Sequence, residues 1–288
     1  MKTNVSVTIC IKDAEKYIGN CISSLLDQTF KDFEIVMIED GCSDGTAHII
    51  EKFSDERIRY FRNQKNLGIA KSRNKGLKLS RGEYIFFTDA DCVVSKNWIE
   101  QGLKSLENQE YVGVEGKIYY VSEGYKPTFS DHTCENKYGG NFMTGNMAYR
   151  RSVIESVGGF DERYSYHEDR DLALRILKRG KIIFNPNMIV YVQQQTLTPK
   201  WFIQSSSHIK NRVYLFKRFG ERKTMFWRIV NPFNLAKALF PPLVLVSLFF
   251  NTFKTSDDFK LLPLTYVYAI LERLQLWKTC ARERVFLI

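Results

Sequence analysis

Tyr84-Ile85-Phe86-Phe87-Thr88-Asp89-Ala90-Asp91 is the stretch that decides the fold. Its first half is apolar and aromatic, which is typical of a strand buried on both faces of a sheet. It ends in two carboxylates, Asp89 and Asp91, two residues apart. Side chains at positions i and i+2 of extended backbone point to the same side, so we expect these two to converge on one target.

The two aspartates are candidates for binding a divalent cation. Uncompensated carboxylates beside a buried strand repel each other and lose hydration. A hard cation relieves both problems, and Mg²⁺ or Mn²⁺ commonly binds a pair of carboxylates together with substrate phosphates. A solvated turn at the end of a strand is the alternative, because Asp-x-Asp alone occurs often.

Strands and helices alternate over the first third of the chain. Predicted strands occupy residues 5–11, 33–38 and 58–61, and predicted helices occupy residues 15–28, 44–53 and about ten positions after Gly68. This alternation indicates βαβ units and a parallel sheet. Ligands of such sheets bind outside the carboxyl ends of the strands, where Asp40, Asp89 and Asp91 all lie. Their shared location favours the metal and nucleotide hypothesis.

Composition and cysteine content indicate a reduced globular protein. The 288 residues are 44% hydrophobic and 14% aromatic, which is enough for a packed core. The six cysteines are scattered without a CxxC pair, which favours buried thiols over disulfides or a zinc site. The N-terminus has no signal-peptide pattern, so we expect a cytoplasmic location.

The excess of basic charge lies in the last third of the chain. Residues 1–199 hold 27 basic and 27 acidic side chains, whereas residues 200–288 hold 15 basic and 5 acidic ones. Residues 235–253 and 261–277 are apolar, but neither is a clean run of about 20 apolar residues. A basic, aromatic-rich surface of this kind indicates association with a membrane face. Packing on the catalytic domain or on a second subunit is the alternative.

Short motifs follow one another in a fixed order and spacing. They include Glu39-Asp40-Gly41, Asn66-Leu67-Gly68, Asp89-Ala90-Asp91, Gly158-Gly159-Phe160 and His167-Glu168-Asp169. With these motifs, residues 4–195 resemble the family 2 glycosyltransferases. The resemblance implies the GT-A fold, an α/β fold with a mostly parallel sheet flanked by helices, here followed by a helical, apolar and basic extension. It also implies sugar transfer from a nucleotide-diphosphate sugar, with inversion at the anomeric carbon.

The expected domain organisation follows from the resemblance and the charge distribution. We expect residues 1–220 to form the catalytic domain, with a donor half at about 1–115 and an acceptor half at about 116–220. Residues 221–288 are expected to form a helical, membrane-associating region.

The resemblance assigns several residues to the donor and to a cation. The implied donor-binding residues are Cys10, Glu15, Asp40, Arg73 and Asp89. A carboxylate at Asp40 can accept a hydrogen bond from a base, and a guanidinium at Arg73 suits phosphate or base edges. A turn-forming role for Asp40 and a solvated helix face for Arg73 are the alternatives. Asp91, together with Asp89, is implied to bind Mn²⁺ or Mg²⁺.

The motif at residues 167–169 supplies the implied catalytic base. An acceptor hydroxyl must lose its proton as it displaces the nucleoside diphosphate, and the resemblance gives this role to Asp169, supported by Glu168. Acidic residues in a first helical turn are also stabilised by the helix dipole whatever their role. His167 and Asn146 are the candidates for acceptor contacts.

The sequence departs from the family pattern in several places. Cys10 stands where the family usually has proline, and Lys12 and Asp13 also differ, so the identity of the base stays open. Gln193 replaces a histidine that often binds the metal. The QxxRW motif of processive members is not clearly present, which favours transfer of a single sugar over polymer synthesis.

The expected partners are a nucleotide-diphosphate sugar, a glycan or polyprenyl-phosphate-linked acceptor, and the cytoplasmic face of a membrane. A homodimer is a further expectation. A nucleotidyltransferase is disfavoured because residues 11–14 form no glycine-rich basic loop. A nucleic-acid-binding protein is disfavoured because the basic residues lie beside apolar runs, and an inactive scaffold because the key carboxylates are retained.

Overall fold

The computed structural model describes residues 4–220, 236, 239–240, 245, 253–254 and 256–285. The chain divides into two compact units. The first comprises Met1–Glu123 and Cys134–Gln193, and the second comprises Gly124–Thr133 and Gln194–Ile288. The expected domain boundary at residue 220 stays a prediction, since residues 221–235 lie outside the described part.

The first unit is built on one eight-stranded sheet. Its strands are β1 (Val5–Ile11), β2 (Phe33–Asp40), β3 (Ile58–Asn63), β4 (Tyr84–Phe87), β5 (Cys92–Val94), β6 (Tyr111–Tyr120), β7 (Met147–Arg150) and β8 (Lys181–Val192). They lie in the order β3-β2-β1-β4-β7-β6-β8-β5. The half containing β1 to β4 is parallel, and β7 pairs antiparallel with both β4 and β6. The predicted parallel arrangement of the N-terminal strands is therefore confirmed.

Helices pack on the sheet, and the first three lie within the regions predicted to be helical. The helices of this unit are α1 (Ile18–Leu26), α2 (Thr46–Ile50), α3 (Ile69–Leu79), α4 (Trp98–Leu106), α5 (Arg151–Ser156) and α6 (Glu168–Ile176). In α1, the residues at i, i+3, i+4 and i+7 from Ile18 are buried, as expected of an amphipathic helix. Helix α3 approaches β1 closely because residue 76 is glycine, and a Cβ atom there would overlap Thr8.

The order of the strands creates a site for ligands. From β1 the chain proceeds outward through β2 to β3, and then returns to place β4 on the opposite side of β1. The carboxyl ends of β1 and β4 therefore flank a point at which the direction of winding reverses, and open α/β sheets bind ligands at such points. Cys10 is near the end of β1, and Asp89 follows the end of β4.

One premise about the two aspartates was wrong. Strand β4 ends at Phe87, and residues 88–91 turn toward the short strand β5. The N–H of Cys92 donates to the carbonyl of Asp89 at 3.1 Å, which closes this turn. Asp89 and Asp91 therefore lie on a turn and not on extended backbone, so the alternation rule does not set their directions.

The second unit contains loops and helices in its described part. The helices whose bounds are described are α7 (Pro199–Ser205), α8 (Ile209–Phe219), α9 (Ser256–Leu261) and α10 (Leu264–Glu283). Helix α7 begins with a side-chain cap and a proline: the side chain of Thr198 accepts from the N–H of Trp201, and Pro199 occupies the first turn. A 3-10 turn at Ser206–His208 separates α7 from α8.

The expected apolar segment at residues 235–253 lies largely outside the described residues. Within the part of the chain that the structure describes, no helix is both long and apolar enough to cross a membrane.

Candidate active site

A buried arginine joins two of the predicted acidic residues. Arg73, on α3, is 6% exposed. Its Nη2 lies 2.9 Å from Oδ1 of Asp89 in the turn after β4, and its Nη1 donates to Oε1 of Glu168 at the start of α6. The guanidinium also lies over the ring of Phe160, 5.8 Å from its centroid. Arg73 therefore connects the aspartate pair predicted to bind metal with the motif predicted to hold the base.

The two acidic residues that begin α6, Glu168 and Asp169, both have raised pKa values. Burial raises the pKa of Glu168 to about 7, although the Arg73 cation opposes the shift. The charge of Asp169 raises the pKa of Glu168 further. Burial also raises the pKa of Asp169, again against Arg73 and against two backbone N–H donors. Both carboxyls thus hold a proton more readily than ordinary acids do, which suits proton transfer near neutral pH.

Asp169 is held by backbone donors on both of its oxygens. Its Oδ1 accepts from the N–H of Arg170 at 2.7 Å, and its Oδ2 lies 3.4 Å from the N–H of Thr144. His167 precedes the helix in a left-handed conformation, with φ at 64°, which is uncommon for a residue with a side chain. This backbone turn lets both acids lie in the first turn of α6, where the helix dipole also stabilises negative charge.

Glu115 is a buried acid that the sequence reasoning missed. Its carboxylate accepts from the N–H groups of Gly140 at 2.6 Å, Asn141 at 3.0 Å and Phe142 at 2.5 Å, and from the side chain of Asn136 at 2.8 Å. These bonds fix the loop that leads to Thr144 and so to Asp169. The only sequence signal is an acidic residue inside an otherwise apolar and aromatic strand.

A pocket of about 290 Å³ opens at the carboxyl ends of β1 and β2. Its lining residues are Cys10, Ile11, Lys12, Asp40, Asn66, Gly68, Ile69, Ser72 and Ser165. Two predicted donor-binding residues, Cys10 and Asp40, therefore share one cavity. Burial raises the pKa of the Cys10 thiol to about 12, so it is neutral at physiological pH.

Asp40 is fixed by the loop that precedes α3. Its Oδ1 accepts from the N–H of Leu67 at 2.7 Å and from the side chain of Asn63 at 3.0 Å. Its Oδ2 accepts from the N–H of Gly68 at 2.9 Å. The carboxylate therefore shapes the pocket wall as well as facing the cavity.

Three further residues that the sequence analysis assigned to the site lie in different surroundings: Glu15, Asn146 and His167. Exposed Glu15 accepts from the N–H of Gly45 at 2.8 Å, at the start of α2, and does not line the pocket. Asn146 is fully buried, and its amide bonds to the indole of Trp98 and to the carbonyls of Lys117 and Met188, each at 2.8 Å. We therefore leave Asn146 out of the acceptor site. Half-buried His167 contacts the ring of Tyr166, with 4.5 Å between centroids.

The carboxylate oxygens of Asp89 and Asp91, in the turn after β4, are suitable ligands for a hard divalent cation. Asp89 keeps about 40% of its side chain exposed, and only its Oδ1 is engaged by Arg73. Asp91 is half-buried, with the Cys92 thiol 3.5 Å from its Oδ1. The backbone carbonyl of Asp91 accepts from the N–H of Gln193 at 2.8 Å. Gln193, which stands where the family often has a metal-binding histidine, therefore lies next to Asp91. The Gln193 side chain itself bonds to Asn20 at 2.7 Å.

Another group of possible ligands lies elsewhere on the first unit. Asp13, Cys42 and Asp44 are the one such cluster of three in the described residues. Their loop is held by its own hydrogen bonds, since Asp13 accepts from the N–H of Ser43 at 2.7 Å and Asp44 from that of Thr46 at 3.1 Å. The cluster needs no ion to explain it.

Comparison with known proteins decides the family. The model of glycosyl transferase family 2 matches residues 6–160, and that of glycosyl transferase family group 2 matches residues 84–272. The chain belongs to glycosyl transferase family 2. The predicted resemblance is thereby confirmed, and the nucleotidyltransferase and nucleic-acid-binding alternatives are set aside.

Two curated relatives illustrate the family's range. An uncharacterized glycosyltransferase of Haemophilus influenzae is 30% identical over 206 residues, which is 65% of this chain and 64% of that protein. The chain thus spans less than two thirds of that relative. The Escherichia coli protein WfaP, a UDP-Glc:alpha-D-GlcNAc-diphosphoundecaprenol beta-1,3-glucosyltransferase, is 30% identical over 189 residues, covering 64% of this chain and 74% of that protein.

Solved structures confirm the fold of this family 2 member. The mannosyltransferase PcManGT from Pyrobaculum calidifontis, in complex with GDP-Man and Mn²⁺, superposes with a TM-score of 0.63 and 17% identity, covering 96% of this chain and 87% of that one. S. aureus TarS 1–349 in complex with UDP-GlcNAc gives 0.58 and 17%, covering 98% and 93%. Together with the family match, these similarities confirm the predicted GT-A fold.

Proposed function

We propose that the protein is an inverting glycosyltransferase that moves one sugar from a nucleotide-diphosphate sugar to an acceptor hydroxyl. The observation that carries the proposal is the contact of Arg73 with both Asp89 and Glu168. It links the turn that holds Asp89 to the residue beside Asp169. The turn follows β4, next to the point at which the direction of winding of the sheet reverses, and α/β sheets bind ligands at such points. Family membership and the donor complexes of PcManGT and TarS support a nucleotide sugar as the donor.

In this proposal Asp169 is the general base. The acceptor oxygen attacks the anomeric carbon as the bond to the diphosphate breaks, and Asp169 takes the hydroxyl proton. The raised pKa of Asp169 brings its proton affinity closer to what this transfer requires at neutral pH. Glu168 supports the base, and Arg73 balances the negative charge that these carboxylates bring together.

Asp91 and Asp89 would hold Mg²⁺ or Mn²⁺. Oxygen ligands of this type suit either ion. PcManGT and the GalNAc-T7 structure contain Mn²⁺, which supports a divalent cation here. When bound, such an ion would offset the charge of the departing diphosphate.

The nucleotide is proposed to occupy the pocket at the ends of β1 and β2. Cys10 and Asp40 would contact the base, with Arg73 on the side of the phosphates. Glu15 would act from the edge of this region by holding the start of α2. The pocket of about 290 Å³ is large enough for a nucleobase.

The acceptor is proposed to be a glycan or polyprenyl-phosphate-linked precursor. WfaP, whose named acceptor is a diphosphoundecaprenol-linked sugar, supports this class. Such an acceptor lies at a membrane, so we propose that the enzyme works as a peripheral protein at the cytoplasmic face. His167, beside the base, is the candidate for an acceptor contact.

A donor screen tests the proposal. Nucleotide sugars are incubated with Mn²⁺ or Mg²⁺, with or without chelator, and release of nucleoside diphosphate is measured. We expect metal-dependent release with at least one donor, loss of metal-dependent donor binding in Asp91→Ala, and retained binding without transfer in Asp169→Asn. Transfer by Asp169→Asn at the parent rate would disprove the assignment of the base.

A further inference from the structure

Helix α10 (Leu264–Glu283) buries polar residues and exposes apolar ones. Its buried residues are Ala269, Glu272, Arg273, Leu276, Thr279 and Cys280. Two of these are charged in water, and Glu272 accepts from the hydroxyl of Tyr268 at 3.0 Å. The inward face is therefore mixed, with Leu276 and Cys280 packed against Ile209 and Val213 of α8. A helix on the surface of a globular protein normally keeps its apolar residues inward and its polar ones outward.

The outward face of α10 carries a continuous apolar stripe. Val267, Ile270, Leu274, Trp277 and Ala281 follow at alternating intervals of three and four residues, which places them along one side of the helix. Val267, Leu274 and Trp277 are 40%, 53% and 52% exposed. Scattered apolar residues on a surface need no explanation, but a row of this length marks a contact surface.

The charges that border this stripe are positive. Lys278 and Arg282 are exposed on the same side of the helix. Glu272 is buried, and Glu283 lies both 3.0 Å from Nζ of Lys217 and 3.3 Å from Nε of Arg282. One carboxylate therefore faces two cations, and with Lys278 this border keeps a net positive charge. An apolar stripe with flanking cations and a tryptophan matches the interface of an anionic membrane.

We propose that the exposed face of α10 docks on the surface of a membrane that contains anionic lipids. The apolar row enters the boundary between headgroups and acyl chains, and Lys278 and Arg282 contact the lipid phosphates. Parallel pairing of two copies through this stripe would instead bring the cations of both copies together. Other described apolar side chains of this unit are also exposed, among them Leu239, Phe240 and Phe259.

This inference deepens the proposed work at a membrane face, but its test needs neither donor nor acceptor. A failure to bind lipid would therefore leave the transfer reaction unaffected, and a failed donor screen would leave the docking surface unaffected.

Vesicle co-sedimentation of the full chain tests the proposal. Vesicles of phosphatidylcholine are compared with vesicles that also contain phosphatidylglycerol. The variant Leu274→Glu/Trp277→Glu is expected to bind the anionic vesicles at least tenfold more weakly than the parent. Lys278→Ala/Arg282→Ala is expected to lose most of the preference for anionic lipid. The matched control is Leu177→Glu, an exposed apolar residue of the first unit, which is expected to bind as the parent does.

A second measurement does not depend on a disruptive variant. Lipids brominated near the headgroup are expected to quench part of the tryptophan emission of the parent, and Trp277→Phe, which keeps an apolar aromatic side chain, is expected to lose that part. Parent protein that stays in the supernatant with anionic vesicles overturns the proposal, as does equal quenching in Trp277→Phe. Dissociation of a dimer in Leu274→Glu/Trp277→Glu without any loss of lipid binding would assign the face to a second copy instead.

Discussion

Arg73 and Glu168 form a buried ion pair although 95 residues separate them in the chain. The pair joins the middle of α3 to the first turn of α6, and the second arm of the guanidinium extends to Asp89 at 2.9 Å. A single cation thus balances carboxylates contributed by two distant motifs. This arrangement couples the stability of the fold to the electrostatics of the candidate active site.

Arg73→Met is expected to destabilise the protein strongly. Removal of one partner leaves the Glu168 carboxylate buried without its cation, which costs about 3–5 kcal/mol in comparable pairs. Unfolding in urea, followed by circular dichroism, measures the change. Lys96→Met is the matched control, because its pair with Asp27 is exposed at both ends and such pairs contribute about 0–1 kcal/mol.

Glu168→Gln is expected to change how stability depends on pH. The pKa of Glu168 is raised from 4.5 to about 7 in the folded protein, so between these values the folded state binds more protons than the unfolded state. The free energy of unfolding of the parent should therefore fall as pH rises through this window, by at most about 1.4 kcal/mol per pH unit from this group. Melting temperatures of parent and variant between pH 4.5 and 7.5 should diverge in that direction. Parallel curves would show that Glu168 titrates as an ordinary acid.

The rate of sugar transfer is expected to fall on acidification at a higher pH than an ordinary aspartate would give. Burial raises the pKa of Asp169, and only its ionised form accepts a proton. Measurement of kcat against pH checks the position of the acidic limb, and a limb at the pH of an ordinary aspartate would assign it to another group.

The repeating patterns predicted the elements of the fold, because hydrophobic periodicity depends on local sequence. Strands β1 to β4 and helices α1 and α3 lie where alternation and amphipathic spacing placed them, within a few residues. The geometry of Asp89 and Asp91 was predicted wrongly, because a turn after Phe87 replaces the extended backbone that the argument assumed.

The contacts of the candidate site depend on residues far apart in the chain. No local pattern pairs Arg73 with Glu168, or shows that one carboxylate at Glu115 accepts from three consecutive backbone N–H groups of residues 140–142. Likewise, Asn146 is a candidate for acceptor contact from the sequence, and only its burial in the structure indicates a structural role instead.

Glu115→Gln is expected to lower kcat more than it weakens donor binding. The neutral amide can no longer accept from all of the backbone N–H groups at 140–142, and each buried donor left unpaired costs about 1–3 kcal/mol. The loop that brings the N–H of Thr144 to Asp169 should loosen, which misplaces the base while the pocket at β1 and β2 stays intact. Steady-state kinetics together with calorimetric binding of nucleoside diphosphate separate the two effects. Glu123→Gln is the control, since that exposed side chain bonds only to Tyr119 among the contacts described.

Asp40→Asn is expected to weaken nucleotide binding while leaving the proposed general base, Asp169, in place. The carboxylate accepts from the N–H groups of Leu67 and Gly68 and from the amide of Asn63, and an asparagine has only one oxygen with which to replace these bonds. The loop before α3 should therefore shift, which alters the wall of the pocket that Asp40 shares with Cys10.

Calorimetric titration with a nucleoside diphosphate is expected to show at least a tenfold higher Kd for Asp40→Asn, with kcat at saturating donor changed much less. Asp55→Asn, which removes a partly exposed pair with Arg57, is the matched control and should bind as the parent does. Equal affinity of Asp40→Asn and the parent would place the nucleotide outside this pocket.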